Sequence, residues 1–167
     1  MEDLREQIQD QEITVVGNES EWTISLSKTD LFNETSARSM YFVKLNSKEP
    51  VTSDSNVILD DDRNMYDVFM DNAVQELTTT LARRIDNSSG SALYNDTMAF
   101  EATLLMGENH DISLLAPLRV ACKEFLVRKT LEQWYNADFG AEAEKGKIVH
   151  LLQYRKKSPA RRVRPLL

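Results

Sequence analysis

Residues 114–139 carry the feature that most restricts the fold. Leu118, Ala121, Cys122, Phe125, Leu126, Leu131, Trp134 and Tyr135 recur mostly at helical spacings of three and four. A helix over this span has a wide apolar stripe, which folding must cover. Residues 60–85 offer the cover, with Met65, Val68, Phe69, Ala73, Leu77, Leu81 and Ile85 in the same period. Two long helices packed antiparallel are therefore the expected centre. Ser113 reads as the N-cap of the later helix. Pro117 then falls in its first turn, where backbone N–H groups have no intrahelical partner to lose. Gly140 reads as its end. Asp60, Asp61 and Asp62 open the earlier helix, where carboxylates suit the macrodipole. As a metal site the three acids lack the alternating ligands and distal Glu of an EF-hand loop.

The rest of the chain mixes periods. Residues 12–16 are β-branched and short. Trp22, Ile24 and Leu26 alternate, and so do Met98, Phe100, Ala102 and Leu104 within residues 97–106. Period-two alternation predicts half-buried strands, the first two joined as a hairpin around residues 17–21. A helix is expected over about residues 30–43, capped by Ser27 or Thr29. Phe32, Ser36, Ser39, Met40 and Val43 would share one side, although Asn33, Thr35 and Ser36 are weak helix formers. Residues 46–59 and 86–91 read as loops. Residues 141–153 form a fourth helical segment with Ile148, Val149, Leu151 and Leu152, weakened by Gly146. The fold class is α+β: two long antiparallel helices, one or two shorter helices, a small antiparallel sheet and an extended C-terminal arm. Residues 1–11 are expected to be an N-terminal arm, 12–155 a single domain and 156–167 a basic arm.

The net charge of −7 is unevenly spread. Residues 1–110 hold 8 Lys/Arg against 21 Asp/Glu, and residues 111–167 hold 12 against 6. The positive end is concentrated in Arg155, Lys156, Lys157, Arg161, Arg162 and Arg164, with Pro159, Pro165 and the apolar Leu166 and Leu167. Such a segment cannot bury enough apolar surface to fold alone, so these eight residues other than the prolines are expected to bind a partner. Nucleic acid is one reading, because cations release counterions from phosphate. The segment has no interleaved aromatics, and the acidic body would repel phosphate. An acidic protein surface explains the same residues with fewer conflicts. Trp22, Trp134 and Tyr135 are the candidates for a subunit interface, where Trp and Tyr are enriched. The alternative for Trp134 and Tyr135 is an edge of the core.

Reactive chemistry is sparse. Cys122 is the single cysteine, so no internal disulfide can form, and its place on an apolar helix face makes the thiol inert. His110 and His150 have no partner at metal-ligand spacing. There is no Walker-type loop, no G-x-G-x-x-G and no G-x-S-x-G. The expectation is an interaction protein, not an enzyme, with no cofactor and no metal. No apolar run reaches the roughly 20 residues of a membrane span. The first residues, Met1-Glu2-Asp3-Leu4-Arg5-Glu6, lack the apolar stretch of a secretory signal, so a cytoplasmic origin without a membrane partner is expected.

Several stretches resemble a known group. They are Leu114-Leu115-Ala116-Pro117-Leu118-Arg119-Val120-Ala121-Cys122-Lys123-Glu124-Phe125-Leu126-Val127, Gln133-Trp134-Tyr135, Gly140-Ala141-Glu142-Ala143-Glu144 and Tyr154-Arg155-Lys156-Lys157-Ser158-Pro159-Ala160-Arg161. Asp62-Arg63-Asn64-Met65-Tyr66 adds to them. Together they resemble small structural proteins of tailed phages and prophages of gut Bacteroides, over residues 60–160. The resemblance implies a virion protein assembled in the bacterial host cytoplasm. It would be a homo-oligomeric ring at the head–tail junction, a connector beneath the portal. Its partners would be the portal or an adjacent neck or tail protein, with DNA only passing through the channel. Connectors of this type are helical with extended arms, and the strands expected here depart from that. They leave open a tail terminator or other neck protein. A small nucleic-acid-binding regulator using the basic tail is the reading from another class.

Overall fold

The computed structural model describes residues 13–16, 19–46, 56–86, 97–107 and 110–154. In chain order they form β1 (Ile13–Val16), β2 (Glu19–Ser27), α1 (Lys28–Asn46), α2 (Arg63–Leu81), β3 (Met98–Met106), α3 (Leu115–Tyr135) and α4 (Ala141–Gln153). Short 3-10 turns, Asp60–Asp62 and Ile112–Leu114, lead into α2 and α3. The class is α+β. The two arms, residues 1–11 and 156–167, lie outside the described residues.

The sheet is antiparallel in the order β1-β2-β3. β2 pairs with β3 so that Trp22 faces Leu104, Ile24 faces Ala102 and Leu26 faces Phe100. All six side chains are buried. The opposite face carries Thr23 and Thr103, whose hydroxyls meet at 3.3 Å. The alternation read from the sequence is thus the alternation of one covered face and one polar face. Between Leu26 and Ser27 the register slips by one residue. Ala99 is the extra residue, which explains why it and Phe100 are both buried.

The helices cover the apolar face of the sheet. α2 and α3 run antiparallel: Gln133 Nε2 donates to the Phe69 carbonyl at 3.4 Å, and Lys129 pairs with Glu76 at 3.4 Å. Leu118, Cys122, Phe125, Leu126 and Leu131 of α3 meet Ala73, Leu77 and Leu81 of α2 in one cluster with the sheet residues. α4 packs mainly on α3.

Several expectations need correction. α1 is no shorter than α2, since both have 19 residues. Its covered side is Leu31, Phe32, Thr35 and Ser39, and Met40 is exposed. On α2 the buried stripe runs Tyr66, Met70, Ala73, Leu77 and Leu81, leaving Met65 and Val68 in solvent. Stepping back from Ala73 by three and then four residues reaches Met70 and Tyr66, whereas Met65 and Val68 lie on other sides of the wheel. Helix α2 ends at Leu81. Ile85 instead bridges Leu104, and the Asp86 amide donates to the Thr103 carbonyl at 2.8 Å, covering the outer edge of β3. Asp111, not Ser113, caps the turn before α3: its carboxylate accepts from the Ser113 amide at 2.9 Å. α3 stops at Tyr135 because Asn136 takes a left-handed conformation, with φ of 49°. Gly140 has φ of 83° and starts α4 instead of ending α3.

Candidate interaction surfaces

The weak helix formers of α1 have a use. The Ile58 amide donates to Ser39 Oγ at 3.0 Å, and Ser36 Oγ donates to the Ile58 carbonyl at 2.7 Å. Two serines thereby satisfy both backbone groups of one buried residue. This clamp fixes Asn56, which in turn receives the end of α3. Tyr135 donates its hydroxyl to the Asn56 carbonyl at 2.6 Å, and Trp134 Nε1 donates to Asn56 Oδ1 at 3.2 Å. The Tyr135 ring packs on Phe42 and Phe139, with centroids 4.6 and 5.9 Å away. Trp134 stands edge-on to Phe69 at 5.8 Å. Trp134 and Tyr135 are half-buried and packed on the core.

Trp22 departs from its expected role. It is 1% exposed, so it belongs to the core of the chain and has no surface to offer an interface. Alternation along β2 put it on the covered face, and its size draws it to the centre. Its ring meets His110 edge-on at 6.3 Å, and its indole N–H has no hydrogen-bond partner among the described residues. His110 Nε2 lies 2.9 Å from the Leu152 carbonyl, which ties the turn before α3 to the end of α4.

A chain of charges links α1, α3 and α4. Arg38 forms a two-pronged pair with Glu124 at 2.6 and 2.7 Å and also binds Glu34 at 2.8 Å. Glu124 receives Arg128 at 3.1 Å, Arg128 reaches Glu144 at 3.5 Å, and Lys147 binds Glu144 at 3.0 Å. The Arg38 guanidinium, with Arg128 behind it, holds the Glu124 carboxyl down at about 2 against the effect of burial. The Arg38 pKa rises in turn, chiefly through its bond to Glu124. Glu76 of α2 similarly sits between Lys129 and Lys145. On α3, Glu132 accepts from the Phe139 and Ala141 amides, both at 3.1 Å, and so caps α4 from a different helix. Arg38–Glu34, Arg128–Glu124 and Lys147–Glu144 are helical pairs three or four residues apart, whereas Arg38–Glu124, Arg128–Glu144, the two lysines on Glu76 and the Glu132 cap join different elements and no local motif announces them.

Two concavities accompany this frame. A groove of about 490 Å³ between α3 and α4 has Val120, Ala121 and Leu151 on its apolar wall. A cleft of about 130 Å³ lies among Lys28, Arg63, Asp67 and Asp71. Burial pushes the Cys122 thiol up to about 12, which disfavours the reactive thiolate. Among the described residues no group of three or more His, Cys, Asp or Glu is placed to hold a metal. Among them, also, no helix is long and apolar enough to cross a membrane. The structure joins Trp134 and Tyr135 at one site. It separates them from Trp22, and residues 155–167 lie outside the described residues.

No protein-family model, curated protein or solved structure matches this chain.

Proposed function

We propose that this chain is a structural virion protein, one subunit of a homo-oligomeric ring at a phage head–tail junction, acting as a connector beneath the portal. It works by assembly and not by catalysis. It assembles with the portal or an adjacent neck or tail protein, and the basic segment with Arg155, Lys156, Lys157, Arg161, Arg162, Arg164, Leu166 and Leu167 is its docking element. The observation that carries this reading is the charge split, with 8 Lys/Arg against 21 Asp/Glu in residues 1–110 and 12 against 6 in residues 111–167. An acidic body and a basic end attract neighbours built the same way, and acidic walls let DNA pass without sticking. The sheet favours a second placement, a tail terminator or other neck protein, over an all-helical connector.

Light scattering and negative-stain images of the purified protein, alone and with the products of neighbouring genes, test the reading. Rings or defined co-assemblies are expected. A strict monomer that binds none of those neighbours sinks it. A salt-sensitive shift of DNA in a gel, with no assembly, would favour a nucleic-acid-binding regulator instead.

A further inference from the structure

We infer that the exposed ridge of α2, with Met65 and Val68 beside the carboxylates Asp61 and Asp71 and with Asp60 and Asp67 on its flanks, receives residues 155–167 of a second copy of the chain. This rests on the ring reading and gives the basic segment a particular receptor.

The ridge is the misfit face of its helix. Met65 and Val68 are 55% and 54% exposed one turn apart, while Tyr66 and Met70 on the core side are 3% and 4%. Asp60 and Asp61, in the turn before the helix, and Asp67, on its flank, are exposed too. Arg63 and Lys28 are the nearby cations, and Arg63 is spread over the Phe32 ring at 3.8 Å and only 4.0 Å from Asp60. Both cations lie on the cleft side of the helix with Asp67 and Asp71, away from Met65. Partial burial, then the charge of Asp67, raises the Asp71 carboxyl, while Lys28 pulls it down. One turn beyond Met65 stand the half-buried Phe69 and its partner Trp134, aromatic faces suited to an arginine.

Residues 155–167 have the complementary pattern. Six cations and no acid are interspersed with Val163, Leu166 and Leu167. The other apolar surfaces fit them less well. The exposed end of α1 presents Met40, Tyr41 and Leu45 with Lys44, which repels a basic segment. In the groove between α3 and α4, Glu124 and Glu144 are already answered by Arg38, Arg128 and Lys147. Within one copy, Arg84 Nη2 donates to the Leu152 carbonyl at 3.3 Å, so α4 ends beside the far end of α2. A segment returning from there to Met65 would first pass Arg83 and Arg84, like charges that disfavour the path. A second copy avoids that approach.

The test uses full-length protein with a photo-cross-linking side chain in place of Val163. Natural-abundance and nitrogen-15 copies are mixed and cross-linked, and the products are read by mass spectrometry. Mixed-isotope cross-links to residues 60–72 are expected. The combined substitution Asp61→Asn, Met65→Ser, Asp67→Asn, Val68→Ser lies wholly on exposed side chains. It should cut them about tenfold or more without lowering the melting temperature. Cross-links confined to one isotope, or directed elsewhere in particles that still form rings, overturn this inference and leave the ring reading standing. Absence of any oligomer overturns both.

Discussion

The two tryptophans of this chain occupy opposite circumstances. Trp22 lies on the covered face of the sheet, 1% exposed, with an indole N–H that meets no acceptor among the described residues. Trp134 stands half-buried at the end of α3, and its N–H is answered by Asn56 at 3.2 Å. The sheet centre tolerates an unpaired donor because the whole ring is packed, and an unpaired buried donor costs about 1–3 kcal/mol against the larger gain of burial. The helix end has less area to bury and relies on hydrogen bonds, ring contacts and ion pairs. The centre is thus held by packing and the periphery by directed polar contacts.

Truncation probes that contrast most strongly. Trp22→Ala, like Phe125→Ala on α3, should cost about 3–5 kcal/mol through lost transfer energy and the cavity left behind. Trp134→Ala should cost under about 2 kcal/mol, because water can refill a half-exposed site. Denaturant titration measures all three, and equal losses would break the comparison.

Next comes Glu124→Gln, which should lower stability by about 1–2 kcal/mol at neutral pH, after discount for a site that is part-exposed. The Glu124 carboxyl is held at about 2 in the folded state against 4.5 for an unperturbed glutamate. A depressed acid stabilises above its unfolded value, and that contribution fades as pH falls through the folded value. The gap between native protein and variant should therefore stay constant above about pH 4.5 and close toward pH 2. A pH-independent gap would mean that Glu124 acts by packing alone.

Tyr135→Phe removes one hydroxyl from the Asn56 carbonyl and should cost about 0.5–1.5 kcal/mol. The smallest effect on stability is expected from deleting residues 156–167, a shift of about 1 °C or less in melting temperature. The same deletion should abolish incorporation into particles. Reversing charge at Arg161, Arg162 and Arg164 should reproduce that loss more closely than Val163→Ala. Normal assembly of the truncated protein would leave the basic segment without a role.

How far the sequence could be read follows the same division. The stripe on α3 and the alternation at Trp22–Leu26 and Phe100–Leu104 have one solution each, and the structure takes it, while the register slip at Ala99 takes Met98 out of the alternation. In the first turns of α2, Met65, Val68 and Phe69 compete with Tyr66 and Met70 for the same spacing. Periodicity alone favoured the more apolar set, and the core took the other. Gly140 was legible as a boundary but not as which boundary, because a left-handed residue can close one helix or open the next. The contacts of Asn56 with Trp134 and Tyr135, and of Arg38 with Glu124, join positions 78 to 86 residues apart. Only the assembled fold brings such pairs into register.

The pairing of β2 with β3 has a consequence for how the chain is made. Thr23 and Thr103 meet across a sequence separation of 80 residues. At about 5–20 residues per second, a ribosome needs roughly 4–16 s to supply the partner of a strand already synthesised. During that interval Trp22, Ile24 and Leu26 lack β3 and α3, although α1 follows β2 directly in the chain. β1 can close as a local hairpin on the first residues of β2, but the ladder to β3 must await the later chain. Slow, non-local closure of this kind favours chaperone capture and low synthesis temperature, and it locates the risk of aggregation in the nascent chain.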